Sequence, residues 1–272
     1  MRFFFILVCL FAFPVQAKVN IVTSILPLQS VTAAIMQGVG EPELLIKDQG
    51  SAHHFAFRPS HFRMLKRADL IIWIDRRFES GFRQLPDLLG DSTVQLELLP
   101  ALGLSGQDGH IWYSPALLGR VIDQITAVLS KLEPQHEAVF KRNQQDLKQA
   151  VNEWERSTRE LIADGKPRYL VDHDFLHHLE TSFDIQSVAT INDEHDQHGG
   201  IQALSLVEQR LASGAAKCLL SNETSVSKIG RNLAEKYGLK IYKITEYSGR
   251  ERMGAGFMQH LWQLHDVLAN CG

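Results

Sequence analysis

Past its opening stretch, the chain moves between two hydrophobic patterns. One is a short apolar run, rich in β-branched residues, with little polar alternation. The other is an apolar stripe that recurs every three or four positions. Short unbroken runs read as strands buried on both faces, and the longer period reads as helices laid against them. In the first half, strands are predicted over Val19-Asn20-Ile21-Val22-Thr23-Ser24, residues 43–46, Ala68-Asp69-Leu70-Ile71-Ile72-Trp73-Ile74 and residues 94–98. Helices are predicted over 28–36, closing at Gly38, and from Pro59-Ser60 to near Arg67.

Ser114-Pro115 supplies an N-cap and a proline for the first helical position. Leu117, Leu118, Val121, Ile122, Ile125, Val128, Leu129 and Leu132 then recur at helical spacing. Pro134 begins a further helix over 135–163, polar except for Val139, Phe140, Leu147, Val151, Trp154 and Leu161. Its length would be roughly 40 Å, more than a compact domain usually needs. It reads as a rod between two lobes; two shorter helices with a kink are the alternative. Gly165-Lys166-Pro167 ends it, and the alternation restarts. Strands are predicted over 169–171, 187–190, 217–221 and 240–244, and helices over 175–183, 204–211, 226–237 and 257–268. The expected fold class is α/β: two (β/α)4-type lobes with parallel sheets, joined by one long rigid helix. The expected segments are 1–17 as a signal, 18–133 and 166–272 as lobes, and 134–165 as the connector.

The 272 residues are 44% hydrophobic and 22% charged, an ordinary globular composition. The net charge of -3 is spread along the chain without a basic block. Nucleic acid is therefore not expected as a partner. Met1-Arg2 precedes a nearly unbroken apolar run to Phe13, which ends at Val15-Gln16-Ala17. This reads as a secretory signal cleaved near Ala17, with Lys18 opening the mature chain. The competing readings are an uncleaved anchor and lipidation at Cys9, against which Val8 stands where a small residue is expected. Without the signal, Cys218 and Cys271 remain. An even cysteine count in an exported protein suggests a disulfide, here tying the C-terminal tail to a strand; two unrelated thiols are the alternative.

Four segments place metal-competent side chains just after predicted strands or before a helix start. They are Ser51-Ala52-His53-His54-Phe55, Asp108-Gly109-His110-Ile111-Trp112, Val171-Asp172-His173-Asp174 and Ile244-Thr245-Glu246-Tyr247. Open α/β sheets bind ligands beyond the carboxyl ends of their strands. Taken singly, a loop histidine among twelve carries little weight. His61, His177 and His178 read as residues on helix surfaces.

Together these segments resemble the periplasmic zinc-binding proteins of ABC importers, the ZnuA type. The resemblance spans nearly the whole mature chain. Its carriers are Val22-Thr23-Ser24-Ile25-Leu26-Pro27-Leu28, His53 with Phe55 and Arg58-Pro59-Ser60, Ala68-Asp69-Leu70, Asp108 with His110-Ile111-Trp112 and Ser114-Pro115, and His173-Asp174. Cys218 and Cys271 match a cysteine pair of some zinc-binding members. The resemblance implies metal in the cleft between the lobes, a periplasmic location, and transfer of Zn2+ to an inner-membrane ABC permease by a monomer that is not an enzyme. The implied ligands are His53, His110 and His173. Glu246 is the candidate fourth, with Thr245 or water as alternatives. Three departures stand out. Ala52 replaces an acidic residue, residues 98–107 lack the histidine-rich loop of many zinc members, and Gly109 stands where proline is common. The segment Asn192-Asp193-Glu194-His195-Asp196-Gln197-His198-Gly199-Gly200 has two readings, auxiliary capture ligands or a solvated polar loop.

Three imidazoles and a carboxylate suit tetrahedral zinc. Manganese-binding members carry a carboxylate where His173 stands. Imidazoles bind metal only when neutral, so affinity is expected to fall below about pH 6. Asp108 and Asp174 are placed to orient rings. The long helix is expected to restrict opening to small local movements. Other readings are a manganese or other divalent-metal binder, a periplasmic zinc buffer or adhesin, and a zinc hydrolase. The last lacks a His-Glu-x-x-His motif and any nucleophile context.

Overall fold

The fold is built on two four-stranded sheets, and every described strand pair runs parallel. The structure is a computed structural model that describes residues 19–47, 55–84, 89, 93–192, 201–222, 226–244 and 253–272. The first sheet has the order β2-β1-β3-β4, with β1 at Ile21–Thr23, β2 at Glu43–Leu44, β3 at Leu70–Trp73 and β4 at Val94–Glu97. The second has the order β6-β5-β7-β8, with β5 at Tyr169–His173, β6 at Ala189–Asn192, β7 at Cys218–Ser221 and β8 at Lys240–Lys243. The helices are α1 (Leu26–Ile35), α2 (Pro59–Leu65), the single turn α3 (Leu98–Ala101), α4 (Pro115–Leu132), α5 (Glu137–Asp164), α6 (His177–Phe183), α7 (Ile201–Ala212), α8 (Lys228–Tyr237) and α9 (Met253–Asn270).

The strand signals are strongest for β1, β3, β5 and β7, whose residues are buried throughout, and weaker for β2, β4 and β8, which are partly exposed. All four residues of β3 are buried. Fully burying one such side chain is worth about 1.5–3 kcal/mol. β2 is shorter than the predicted run, yet the ladder continues past it. The Leu45 and Ile46 amides donate to the Thr23 and Ser24 carbonyls at 2.9 and 3.0 Å.

Ser114 caps α4 by accepting the Leu117 amide, and Leu118, Val121, Ile122, Ile125 and Leu129 form its buried stripe. α5 is one helix of 28 residues, so the kinked alternative is not the one adopted. It fastens to both halves. Asn143 donates to the Ile35 and Gln37 carbonyls at the end of α1, both at 2.9 Å. The Trp154 indole N–H donates to the Leu261 carbonyl of α9 at 2.8 Å. α1 also packs directly on α9.

One buried apolar cluster runs through both sheets, from Ile21 to Cys271. A smaller one, including Leu170, Leu219, Val207 and Leu233, fills the other face of the second sheet. Cys218 and Cys271 form a disulfide with a Cα–Cα distance of 5.6 Å, closing a loop with a sequence separation of 53. No helix among the described residues is long and apolar enough to cross a membrane. Residues 1–17 lie outside the described residues, and with them the expected signal.

Candidate metal centre

His110 and His173 come from different halves of the chain, yet their rings meet at a centroid distance of 5.7 Å. Both are nearly buried, at 4% and 9% exposure. His173 is the last residue of β5, at the carboxyl end of the second sheet. His110 precedes the 3-10 turn Ile111–Tyr113, which leads into α4.

The strand end holds His173 through its neighbours. His173 is in register with Asn192 on β6. The preceding Asp172 is buried, and its carboxylate accepts the Ser227 amide at 2.7 Å and the Ser227 hydroxyl at 2.5 Å. Ser227 is the N-cap of α8, so Asp172 also meets the positive end of that helix. A Cβ at Gly230 would lie 2.8 Å from Asp172 Oδ1, which explains a glycine inside the first turn of α8.

His110 is held by its ring. Its Nδ1–H donates to Asp108 Oδ1 at 2.8 Å, and its backbone amide donates to the same oxygen at 3.2 Å. With Nδ1 carrying the proton, the lone pair of the ring lies on Nε2. Burial alone would raise the Asp108 carboxyl pKa. The ring hydrogen bond of His110, and the charges of His110 and His178, outweigh burial and hold it down at about 2. The expectation that Asp108 orients a ring is met.

Aromatic neighbours complete the support. Phe78 lies edge-on to His110 at 5.0 Å, and Trp112 lies at 5.3 Å. Phe78 is aimed by a tight turn after β3. The Asp75 carboxylate accepts the Arg77 and Phe78 amides at 2.9 and 2.7 Å, and Glu79 accepts the Ile74 amide at 2.7 Å. Glu79 is fully buried, and burial pushes its carboxyl up to about 8 despite that bond. The nearby Ser24 hydroxyl pulls the value back more than the Ile74 amide does, although it falls short of good hydrogen-bond geometry, and the charge of Asp75 adds to the rise.

The structure corrects two of the sequence-based expectations. His178 does not face solvent. Its side chain is 11% exposed, and its Nε2–H donates to the Asp108 carbonyl at 2.9 Å. His61 is half-buried, and its Nδ1 accepts the Arg58 amide at the start of α2 at 3.0 Å. His177 is exposed, as expected. His53 and Glu246 lie outside the described residues. Two residues after His53, the Phe55 carbonyl lies against Gly81, just after Phe78. On the other side, Ile244 is buried and donates to the Ser221 carbonyl at 2.7 Å, two residues before Glu246. His195 and His198 also fall outside, in the segment that follows Asn192. Among the described residues, no cluster of three or more His, Cys, Asp or Glu side chains suited to a metal ion is found.

The profile of the ZnuA family, zinc-uptake complex component A, periplasmic, matches residues 21–271. The chain belongs to the ZnuA family. Members of the ZnuA family serve as the periplasmic zinc-binding component of an ABC importer. The high-affinity zinc uptake system protein ZnuA of Haemophilus ducreyi is 21% identical over 290 residues, an alignment spanning 94% of each chain. In shape the chain is similar to a ZnuA deletion mutant solved with zinc bound, with a TM-score of 0.81, 16% identity, and coverage of 94% of this chain and 98% of that one. It is also similar to the laminin-binding protein Lmb of Streptococcus agalactiae, described as bifunctional with adhesin and metal transporting activity. There the TM-score is 0.79 at 18% identity, covering 92% of this chain and 99% of that one. At these identities the structural likeness is one of fold.

Against the ZnuA pattern, Gly109 now has a physical reason. A Cβ at this position would lie 2.1–2.8 Å from ring atoms of Phe78. Proline carries that Cβ, so Phe78 and Gly109 form a matched pair. The ring occupies the space that the more common residue would need.

Proposed function

We propose that this chain captures Zn2+ in the periplasm and delivers it, as cargo, to an inner-membrane ABC permease, acting as a monomer and without catalysis. The ligands in this reading are His53, His110 and His173, with Glu246 as the fourth. The observation that carries it is the meeting of two nearly buried imidazoles from opposite lobes at 5.7 Å. One of them is tautomerically fixed by Asp108. Membership of the zinc-uptake family supports the cargo and the permease. Imidazole in place of a carboxylate at His173 supports zinc over manganese.

Paired, nearly buried imidazoles favour a borderline-soft cation that accepts nitrogen, and an oxygen-seeking ion gains little from them. The continuous core and the helix α5, tied to both halves, support local opening rather than wide closure. The test is competition titration of zinc and manganese into the metal-free protein and into His53→Ala, His110→Ala and His173→Ala. One equivalent of zinc should bind. Each substitution should weaken it by at least about tenfold, or about 1.4 kcal/mol. Unchanged affinity in any two of the three rejects the site. Sedimentation with and without zinc tests the monomer.

A further inference from the structure

The contact between His178 and Asp108 crosses from one lobe to the other at the loop that carries His110. It is accompanied by a second contact from the same helix face. His178 and Ser182 are four residues apart on α6, and so lie one above the other. The Ser182 hydroxyl bonds to the Ser114 hydroxyl at 3.0 Å and to the His178 carbonyl at 2.7 Å. The two side chains therefore grip the two ends of the segment 108–114, with His110 between them. A backbone carbonyl only accepts, so the His178 ring must present Nε2–H to Asp108. Asp108 in turn receives the His110 ring.

We infer that His178, aided by Ser182, is a positioning residue: a latch from the second lobe that holds the Asp108–His110 loop in its metal-ready place before the ion arrives. This rests on the zinc reading above and adds to it a control on how long zinc stays bound. His110 sits on a short irregular loop, and its Asp108 support belongs to that same loop. Neither can fix the loop against the rest of the molecule. The latch does so from the lobe that carries His173. It thereby sets the distance between the two rings without any contribution from the metal. A site held ready spends less free energy on ordering when it binds, and local opening of the loop, which precedes release, becomes rarer.

The test uses the full mature chain and has two readouts. Hydrogen exchange of the 108–114 amides is measured in the metal-free protein. Zinc dissociation is followed by transfer to an excess of a chromogenic chelator. His178→Leu keeps bulk and removes the donor; His178→Gln keeps an N–H that can reach the Asp108 carbonyl. His178→Leu should speed both exchange and zinc release by about tenfold, the scale of losses when the partner of a metal ligand is removed. His178→Gln should return both to within about twofold of the unmodified protein. Unchanged exchange in His178→Leu, or failure of His178→Gln to restore it, overturns the latch. Should His178→Leu not fold, Ser182→Ala removes the second contact and must raise exchange over the same amides, or the inference falls. If His110→Ala binds zinc normally, the zinc reading fails on its own, while exchange in the metal-free chain still decides the latch.

Discussion

The two imidazoles of the site are held in opposite ways. His173 inherits its place from the backbone. It ends a strand that is paired on both sides, and its neighbour Asp172 is pinned by the first turn of α8. His110 sits on a loop and is held through its ring, by Asp108, Phe78 and Trp112, and through His178 of the other lobe. One half of the site is thus part of the fold, and the other is mounted on it. Damage to the supports of His173 should unfold the second lobe. Damage to the supports of His110 should cost metal binding and leave the fold in place.

The sharpest contrast comes from the disulfide, which ties β7, the neighbour of β5, to the chain just past α9. Replacing Cys218 and Cys271 by Ser should cost about 4 kcal/mol on the chain-entropy argument for this loop length. Denaturant unfolding would read the loss, and hydrogen exchange should place it in the second lobe; equal loosening of the loop at His110 would break the comparison. Next in size, Asp172→Ala should cost about 3 kcal/mol, since it removes a buried carboxylate that accepts two half-buried donors of Ser227. A normal unfolding midpoint with weakened zinc binding would mean that Asp172 serves the ring rather than the fold.

Glu79 gives a pH test under the His110 side. Its carboxyl stays protonated in the folded chain up to about pH 8, whereas in the unfolded chain it ionises near its ordinary value. Unfolding therefore releases a proton between those limits. The stability contribution is complete below the unfolded value and is lost as pH rises through the folded one. Glu79→Gln should remove this slope and be more stable than the unmodified protein at pH 8 by roughly 2 kcal/mol, after allowing for relaxation around a buried charge. A parallel offset at every pH would show that the carboxyl is ionised in the fold. The smallest effect is expected at Asp108. Asp108→Ala should weaken zinc binding about tenfold, or about 1.4 kcal/mol, and lower stability as well, since it strands the His110 ring and backbone donors. Loss of fold without loss of affinity would reverse the contrast between the two halves.

The sequence made the rigid half of this arrangement easier to read than the mounted half. β3 was visible because all its residues are apolar, and α4 because Ser114-Pro115 announces it and the buried stripe keeps its period. α5 was visible in length because nothing in residues 137–164 breaks a helix, although Ile162 is buried more deeply than the neighbouring Leu161, which packs half-buried against the core. His110 and His173 stood out only through the motifs around them. What stayed hidden depends on proximity across the lobes. Nothing local to His178 signals the Asp108 carbonyl 70 residues away, and an i, i+4 polar pair on a short helix looks like a solvated face. Buried Tyr113 and His260, joined at 3.0 Å across 147 positions, were missed for the same reason. The Gly109 departure was legible as an oddity, but its cause, the ring of Phe78, required the fold.

The most direct measurement is anomalous diffraction at the zinc edge from crystals of the zinc-loaded mature protein. A single strong peak is expected between the lobes, about 2.0–2.1 Å from nitrogens of both His110 and His173. A third nitrogen, from His53, should complete the imidazole set. A peak bound by only one lobe, or none between these two rings, would contradict the account.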